Sequence, residues 1–247
     1  MTGRDPMGEG VGNAQYIQAV KDIFSTITPT YDFLNRLLSG RRDVAWRKSM
    51  VAEMDFYQTY RYLDVAAGSC DVMIRCLNVH PEVRAVGVDF VSEMIHRGKE
   101  RLRRASAGNR SEVYLGDATD LPFLDHTFDV SGIAFGIRNI PQKARALSEM
   151  ARVVVPGGQV IVLELTMPEN PILSAIYTLY LTQLLPRLAG LFTDSWRAYE
   201  YLGDSITSFT TNRDFLNLMA YAGIEQPLAI PLSLGVCHLF AGRTRVV

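Results

Sequence analysis

The sequence predicts an α/β fold built on a doubly wound, mainly parallel sheet of seven strands, with helices ahead of the sheet and a helical insertion after the fifth strand. Short apolar runs alternate with stretches of helical spacing between about residues 61 and 165, the pattern of strand–helix–strand units on one sheet. One joint is explicit: Arg61-Tyr62-Leu63-Asp64-Val65-Ala66-Ala67 reads as a buried strand, Gly68-Ser69 as a tight turn, and Asp71 onward as a helix. Beyond residue 166 the alternation stops and resumes only for a last helix and two closing strands.

In chain order, residues 1–13 are Gly-rich without apolar periodicity and read as a loose tail, leaving 14–247 as a single domain. Ile17, Val20, Phe24, Ile27, Tyr31, Leu34 and Leu38 recur at threes and fours, a helical stripe that Pro29 divides, and a further short helix around Trp46-Arg47 completes an N-terminal helical region, 14–56. After the first strand come a strand over 83–90, a helix over 91–104 with Met94, Ile95 and Leu102 inward, and a strand over 111–115. A fourth strand over 127–135, a helix over 144–154, a turn at Pro156-Gly157-Gly158 and a fifth strand over 159–165 follow. Residues 168–211 read as a helical cap: the apolar run 172–192 approaches membrane-span length, but Pro186 and Arg187 interrupt it. A helix over 212–223 with Phe215, Leu218 and Met219 inward precedes strands around 225–230 and 235–242.

Hydrophobic residues make up 48% of the chain and charged residues 21%, which implies a packed core rather than disorder. The net charge of −1 gives no reason to expect a nucleic-acid partner. The local cluster Arg97, Lys99, Arg101, Arg103 and Arg104 reads as a solvated helix face. Cys70, Cys76 and Cys237 form no C-x-x-C pair, and no secretory segment opens the chain, so a reduced, cytoplasmic setting is expected. The scattered histidines, His80, His96, His126 and His238, argue against a metal site.

A strand, a small-residue turn and a helix present backbone N–H groups to a ligand at the carboxyl edge of a sheet. A dinucleotide would want G-x-G-x-x-G, and only Gly68 is present. S-adenosylmethionine carries no pyrophosphate and tolerates a turn poorer in glycine. Asp89, ending the second strand about twenty residues after Gly68, is placed to accept from ribose hydroxyls. Asp117-Ala118, after the third strand, can face the adenine amino group. Each acid has a local alternative: Asp64 bonding the turn, Asp89 capping the next helix, Asp117 forming an Asx-turn. Together they mark one ligand-binding sheet edge.

Several separated blocks then resemble one family. Phe24-x-x-Ile27-x-x-x-Tyr31-Asp32-x-x-Asn35-Arg36-x-Leu38-Ser39, Trp46-Arg47, Phe135-Gly136-Ile137-Arg138-Asn139, Tyr199-x-Tyr201-Leu202-x-x-Ser205-Ile206 and Gly235-Val236-Cys237-His238 resemble signatures of the ubiquinone/menaquinone biosynthesis C-methyltransferases, Rossmann-like class I S-adenosylmethionine-dependent enzymes. Leu121-Pro122-Phe123-x-Asp125-x-x-Phe128-Asp129 and Ala146-Leu147-x-Glu149-x-x-Arg152-Val153-x-x-Pro156-Gly157-Gly158 are shared more widely among methyltransferases. The chain departs from the family at Cys70, where glycine is usual, at Ala134, where some members carry serine, at Gln142, where an acid is common, and at Thr210, where proline is usual.

The resemblance implies S-adenosylmethionine as cofactor, held by Asp64, Gly68, Ser69, Asp89, Asp117, Ala118 and Ala134. It implies a polyprenylated quinol as substrate, held by Tyr31, Arg138, Asn139 and Tyr201. Methylating a ring carbon requires an adjacent phenolate, which Arg138 is suited to stabilise as a permanent cation and Asn139 to orient. Asp32, His238, Tyr31 and Tyr201 are alternative bases, and a water relayed through Asp89 is another. The helices of the N-terminal region and the cap are expected to cover the quinol, with their apolar faces resting on the inner surface of a membrane, and a homodimer is a further option.

Overall fold

The computed structural model of the chain describes residues 16, 18, 20–22, 25, 36, 39–190 and 196–246, with the backbone alone for 188, 189 and 196–200. Tyr31 and Asp32, the tail and most of the N-terminal stripe lie outside the described residues. The elements run α1 (Arg42–Ala52), β1 (Arg61–Val65), α2 (Asp71–Val79), β2 (Arg84–Asp89), α3 (Ser92–Arg104), β3 (Ser111–Leu115), β4 (Phe128–Ala134), α4 (Lys143–Arg152) and β5 (Val154–Leu165). Then come α5 (Pro171–Leu179), a π-helical turn (Tyr180–Leu184), α6 (Leu185–Gly190), α7 (Trp196–Thr207), α8 (Asn212–Tyr221), β6 (Ile224–Leu232) and β7 (Cys237–Thr244).

The strands form one seven-stranded sheet in the order β3-β2-β1-β4-β5-β7-β6. β1 to β5 pair in parallel and β7 runs antiparallel to both β5 and β6. Alternation along the strands sorts the core into two layers. Tyr62, Val130, Ile161 and Leu239 pack with Trp46 and Met50 of α1, Met73 and Leu77 of α2, and Ile95 of α3. Leu63, Val65, Val86, Ile133 and Phe240 face the other way, onto Leu147 and Met150 of α4 and Phe215 and Met219 of α8. From Tyr62 to Val65 β1 is buried on both faces, as a central parallel strand must be, and that run is apolar but for Asp64. The segment between β5 and α8 has a small core of its own in Leu181, Leu185 and Ile206.

Two expectations change. The turn at Pro156-Gly157-Gly158 lies inside β5, which begins at Val154; pairing with β4 slips between Phe128/Val154 and Val130/Gln159, with Gly157 left-handed at φ +78. The extra residues bulge without ending the strand. The basic face of α3 is not wholly solvated either. Arg101 reaches back to β1's turn, donating from Nη1 to the backbone oxygen and Oγ of Ser69 at 2.9 and 2.7 Å and pairing through Nη2 with Asp71.

The two widely shared motifs hold loops in place. Asp129, fully buried, accepts the backbone N–H groups of Tyr57, Gln58, Thr59 and Tyr60 at 2.8–3.1 Å and so fixes the entry to β1. Arg152 donates to the carbonyls of Leu121 and Phe123 and pairs with Asp125 and Glu149, fastening the loop before β4 to α4.

Candidate active site

The strand order reverses between β1 and β4: β2 and β3 lie on one side of β1, β4 and β5 on the other. A cleft opens outside the carboxyl ends of an open α/β sheet at such a reversal. Here it encloses about 300 Å³, lined by Ala66 and Gly68 after β1, Asp89 at the end of β2, Gly116, Asp117, Ala118 and Thr119 after β3, and Ala134, Phe135, Gly136 and Asn139 after β4. Val20, Phe90, Val91, Met94 and Ile140 supply apolar walls.

The backbone bends sharply on both sides of the reversal. Ala66 and Phe135, each the first residue beyond its strand, are left-handed at φ 52 and 60. The two turns approach so closely that a Cβ on Gly136 would lie 2.8 Å from that of Ala66. Only glycine allows the β4 turn to come this near.

Asp89 is 6% exposed and organises one end of the cleft. Its Oδ2 accepts the N–H of Gly68 at 2.7 Å and its Oδ1 that of Val91 at 2.9 Å, tying β1's turn to the start of α3. Burial raises its pKa, opposed by these bonds. Each oxygen has lone-pair capacity beyond one N–H, which vicinal hydroxyls can use. Asp117 is exposed; its Oδ1 accepts both the N–H and the hydroxyl of Thr119 at 2.8 Å, the Asx-turn anticipated for it, while the residue still lines the cleft.

Asp64 and Ser69 do not line the cleft. Asp64 is buried in β1, accepts the Tyr62 hydroxyl at 2.9 Å through Oδ1, and leaves Oδ2 without a hydrogen-bond partner. Its burial pushes the pKa up to about 7 against the smaller pull of Tyr62 and Arg47. The Ser69 hydroxyl is engaged by Arg101. Cys70 takes a left-handed conformation, φ 62, that glycine adopts without strain, at the N-terminus of α2. Its side chain belongs to the buried core and packs where α3 carries Gly98: a Cβ there would lie 2.5 Å from the thiol sulfur.

After β4 the block Phe135–Asn139 winds into a 3₁₀ turn, Ile137–Asn139. Arg138 is buried and does not line the cleft. Its Nη1 donates to Glu164 Oε1 at 2.6 Å and to the Phe135 carbonyl at 2.8 Å, and its Nε to Ser205 Oγ at 3.3 Å. Glu164, in β5 and fully buried, also accepts the backbone N–H of Arg138 at 3.1 Å. This carboxylate was not picked out in the sequence, since one acid in an apolar strand gives no sign of its partner. Asn139 does line the cleft, and its Oδ1 accepts the Tyr201 hydroxyl at 2.9 Å. That phenol lies 2.9 Å from the hydroxyl of Tyr16. Burial and the bond to Tyr16 raise its pKa, so it stays protonated at neutral pH and is a donor rather than a base.

His238 lies outside the cleft. Its Nδ1 is 2.7 Å from Thr166 Oγ1, whose hydroxyl donates to the Gly235 carbonyl, so Nδ1 carries the proton; Nε2 accepts from Asn212 at 3.2 Å. Burial lowers its pKa, against a weaker opposing effect of Glu169. Both ring nitrogens are thus engaged by Thr166 and Asn212, and the structure does not bring this imidazole to the cleft.

Among the described residues lining the cleft there are two carboxylates and no Lys or Arg. That set does not suit a pyrophosphate and does suit a phosphate-free nucleoside carrying positive charge. No group of three or more His, Cys, Asp or Glu among the described residues could hold a metal ion.

Comparison with solved structures agrees on the fold. A SAM-dependent methyltransferase from Thermotoga maritima superposes with a TM-score of 0.66 at 17% identity, covering 91% of this chain and 99% of that one. The [4+2]-cyclase SpnF superposes at 0.61 and 15% identity, covering 94% and 97%, so the architecture alone does not specify the reaction. Sequence relatives are more specific. Ubiquinone/menaquinone biosynthesis C-methyltransferases from Geotalea daltonii and Geobacter sulfurreducens are 36% and 37% identical over 91% of this chain, covering 96% and 88% of their own lengths. The demethylmenaquinone methyltransferase of Bacillus cytotoxicus is 36% identical over 91% of this chain and 95% of its own. The model of the ubiE/COQ5 methyltransferase family matches residues 11–243, and the chain belongs to that family.

Proposed function

We propose that the protein methylates a ring carbon of a polyprenylated quinol, demethylmenaquinol or the benzoquinol precursor of ubiquinone, using S-adenosylmethionine, in respiratory quinone biosynthesis. The observation that carries this reading is the meeting, in one cleft, of a cation-tolerant nucleoside site built on Asp89 with Asn139 of the Phe135–Asn139 block. Bound there, S-adenosylmethionine supplies an electrophilic methyl group on a sulfonium.

The chain's residues then have separable tasks. Asp89 accepts the ribose hydroxyls while holding Gly68 and Val91, and the apolar walls at Val91, Met94 and Ile140 take the adenine. Asn139 orients a ring oxygen, which places the neighbouring carbon for attack. Arg138 lies behind Asn139 with its charge largely balanced by Glu164, so its effect on a developing oxyanion is exerted through the turn and through field rather than as an unpaired cation. With Tyr201 a donor and His238 engaged elsewhere, Asp32 is the base we assign to the ring hydroxyl among those the resemblance implies.

Among the described residues no helix is long and apolar enough to cross a membrane. Ile172, Ile176 and Leu179 of α5, spaced along one helical face, are 70%, 60% and 55% exposed, which supports contact with a membrane surface where a prenylated quinol resides. Vesicle co-sedimentation should weaken when all three are changed to Ser. The activity itself is tested by incubating purified protein with labelled S-adenosylmethionine and a panel of demethylated quinols. Label should enter the quinol with wild type and be lost with Asp32→Asn.

A further inference from the structure

We propose that Tyr16 and Tyr201 are positioning residues that set which end of the Asn139 amide faces the cleft, and that the site therefore selects an acceptor presenting a hydrogen-bond-accepting oxygen at that point. The geometry is a directed chain. Tyr201 donates its hydroxyl proton to Asn139 Oδ1, so its own oxygen is left to accept from the Tyr16 hydroxyl, each step 2.9 Å. Because Oδ1 is held toward Tyr201, the other end of the amide is its Nδ2 pair, which donates only, and this is the end we infer a ligand meets. A phenolate, a hydroxyl oxygen or a carbonyl satisfies it; an ammonium or an apolar ring edge does not.

The stretch that carries Tyr16 also contributes to the cleft wall. Val20 lines the cleft, is 2% exposed and follows Tyr16 by one helical turn, so the two share a face. Tyr16 itself is 37% exposed and does not line the cleft, which separates its role from cofactor contact. On the opposite side, Glu164 holds the backbone N–H of Arg138, so the turn carrying Asn139 is fixed at its main chain while the tyrosines fix its side chain.

The acceptor part of this inference rests on the quinol reading, and the amide part does not. The test uses ¹H–¹⁵N spectra of the full chain bound to S-adenosylhomocysteine, with the Asn139 side-chain signals identified by their loss in Asn139→Asp. A sharp pair is expected in wild type, and exchange broadening of that pair in Tyr201→Phe and, less strongly, in Tyr16→Phe. In parallel, Tyr201→Phe should raise KM for the quinol fivefold or more, with the Kd for S-adenosylhomocysteine within twofold of wild type by calorimetry. Unchanged amide signals in both variants would overturn the proposal, as would a KM that does not move. If wild type turns over no quinol, the substrate reading falls while the spectra still decide whether the tyrosines orient the amide.

Discussion

Glu164 accepts both the backbone N–H and the guanidinium of Arg138, at 3.1 and 2.6 Å, so one buried carboxylate fixes the main chain and the charge of the turn that ends in Asn139. Both side chains are almost completely excluded from solvent. Removing one member of such a pair takes a buried counter-charge away from the other. Glu164→Gln should lower unfolding stability by about 3–5 kcal/mol in denaturant titration. Adding Arg138→Met should recover much of that loss without restoring methyl transfer. Restored turnover in the double variant would show that neither side chain serves the reaction.

Cys70 and Gly98 fit each other. The thiol occupies the space that a side chain on α3 would need, and the backbone at Cys70 is held left-handed to put it there. Gly98→Ala should cost about 1–3 kcal/mol by overpacking. Much of that penalty should disappear in a Cys70→Gly background, which also relieves roughly 1–2 kcal/mol of backbone strain. A double-mutant cycle on thermal or denaturant unfolding reads the coupling, and additivity of the two changes would refute it. Because the thiol points into the core rather than the cleft, Cys70→Gly should leave cofactor affinity unchanged.

Asp64 makes stability depend on pH in an unusual direction for an aspartate. Its folded pKa is raised to about 7 from an ordinary 3.8, so the folded state binds the proton more tightly than the unfolded one. The stabilising protonation is complete below the unfolded value and is lost as pH rises through the folded one. Stability should fall by about 1.4 kcal/mol per pH unit at most between pH 4 and 7, then level off. Asp64→Asn should flatten that part of the profile. A variant with the same slope as wild type would place the titration elsewhere.

Asp89→Ala should weaken S-adenosylmethionine binding at least tenfold by calorimetry, since it removes the acceptor for the ribose and also releases the N–H groups of Gly68 and Val91. Asp117→Ala should cost less, because its Oδ1 is already engaged by Thr119 in an exposed turn. Equal losses would mean that burial does not distinguish the two acids.

The fold was legible because apolar alternation and turn chemistry are local, and both survive into the sheet from β1 to β5. The slip at Pro156-Gly157-Gly158 was not, since glycine and proline mark a turn and a bulge alike. At the site, Gly68, Asp89, Asp117, Ala118, Ala134 and Asn139 come together because strand ends in a parallel sheet share an edge. Asp64 and Ser69 are implied by the resemblance, and their side chains are bonded to Tyr62 and Arg101. Arg101, Glu164 and Tyr16 act through partners far away in the chain, and no spacing rule reports those. The left-handed residues Ala66 and Phe135 were equally hidden, because neither residue type favours that conformation.

The most direct measurement is the structure of the product. Purified protein, S-adenosylmethionine with a ¹³C-labelled methyl group and a reduced demethylmenaquinol should give a quinone heavier by one labelled methyl group. The ¹³C shift of that group should fall in the range of a methyl bonded to a ring carbon. A signal in the methoxy range, or label found only in unreacted cofactor after the whole quinol panel has been tried, would contradict C-methylation by this cleft.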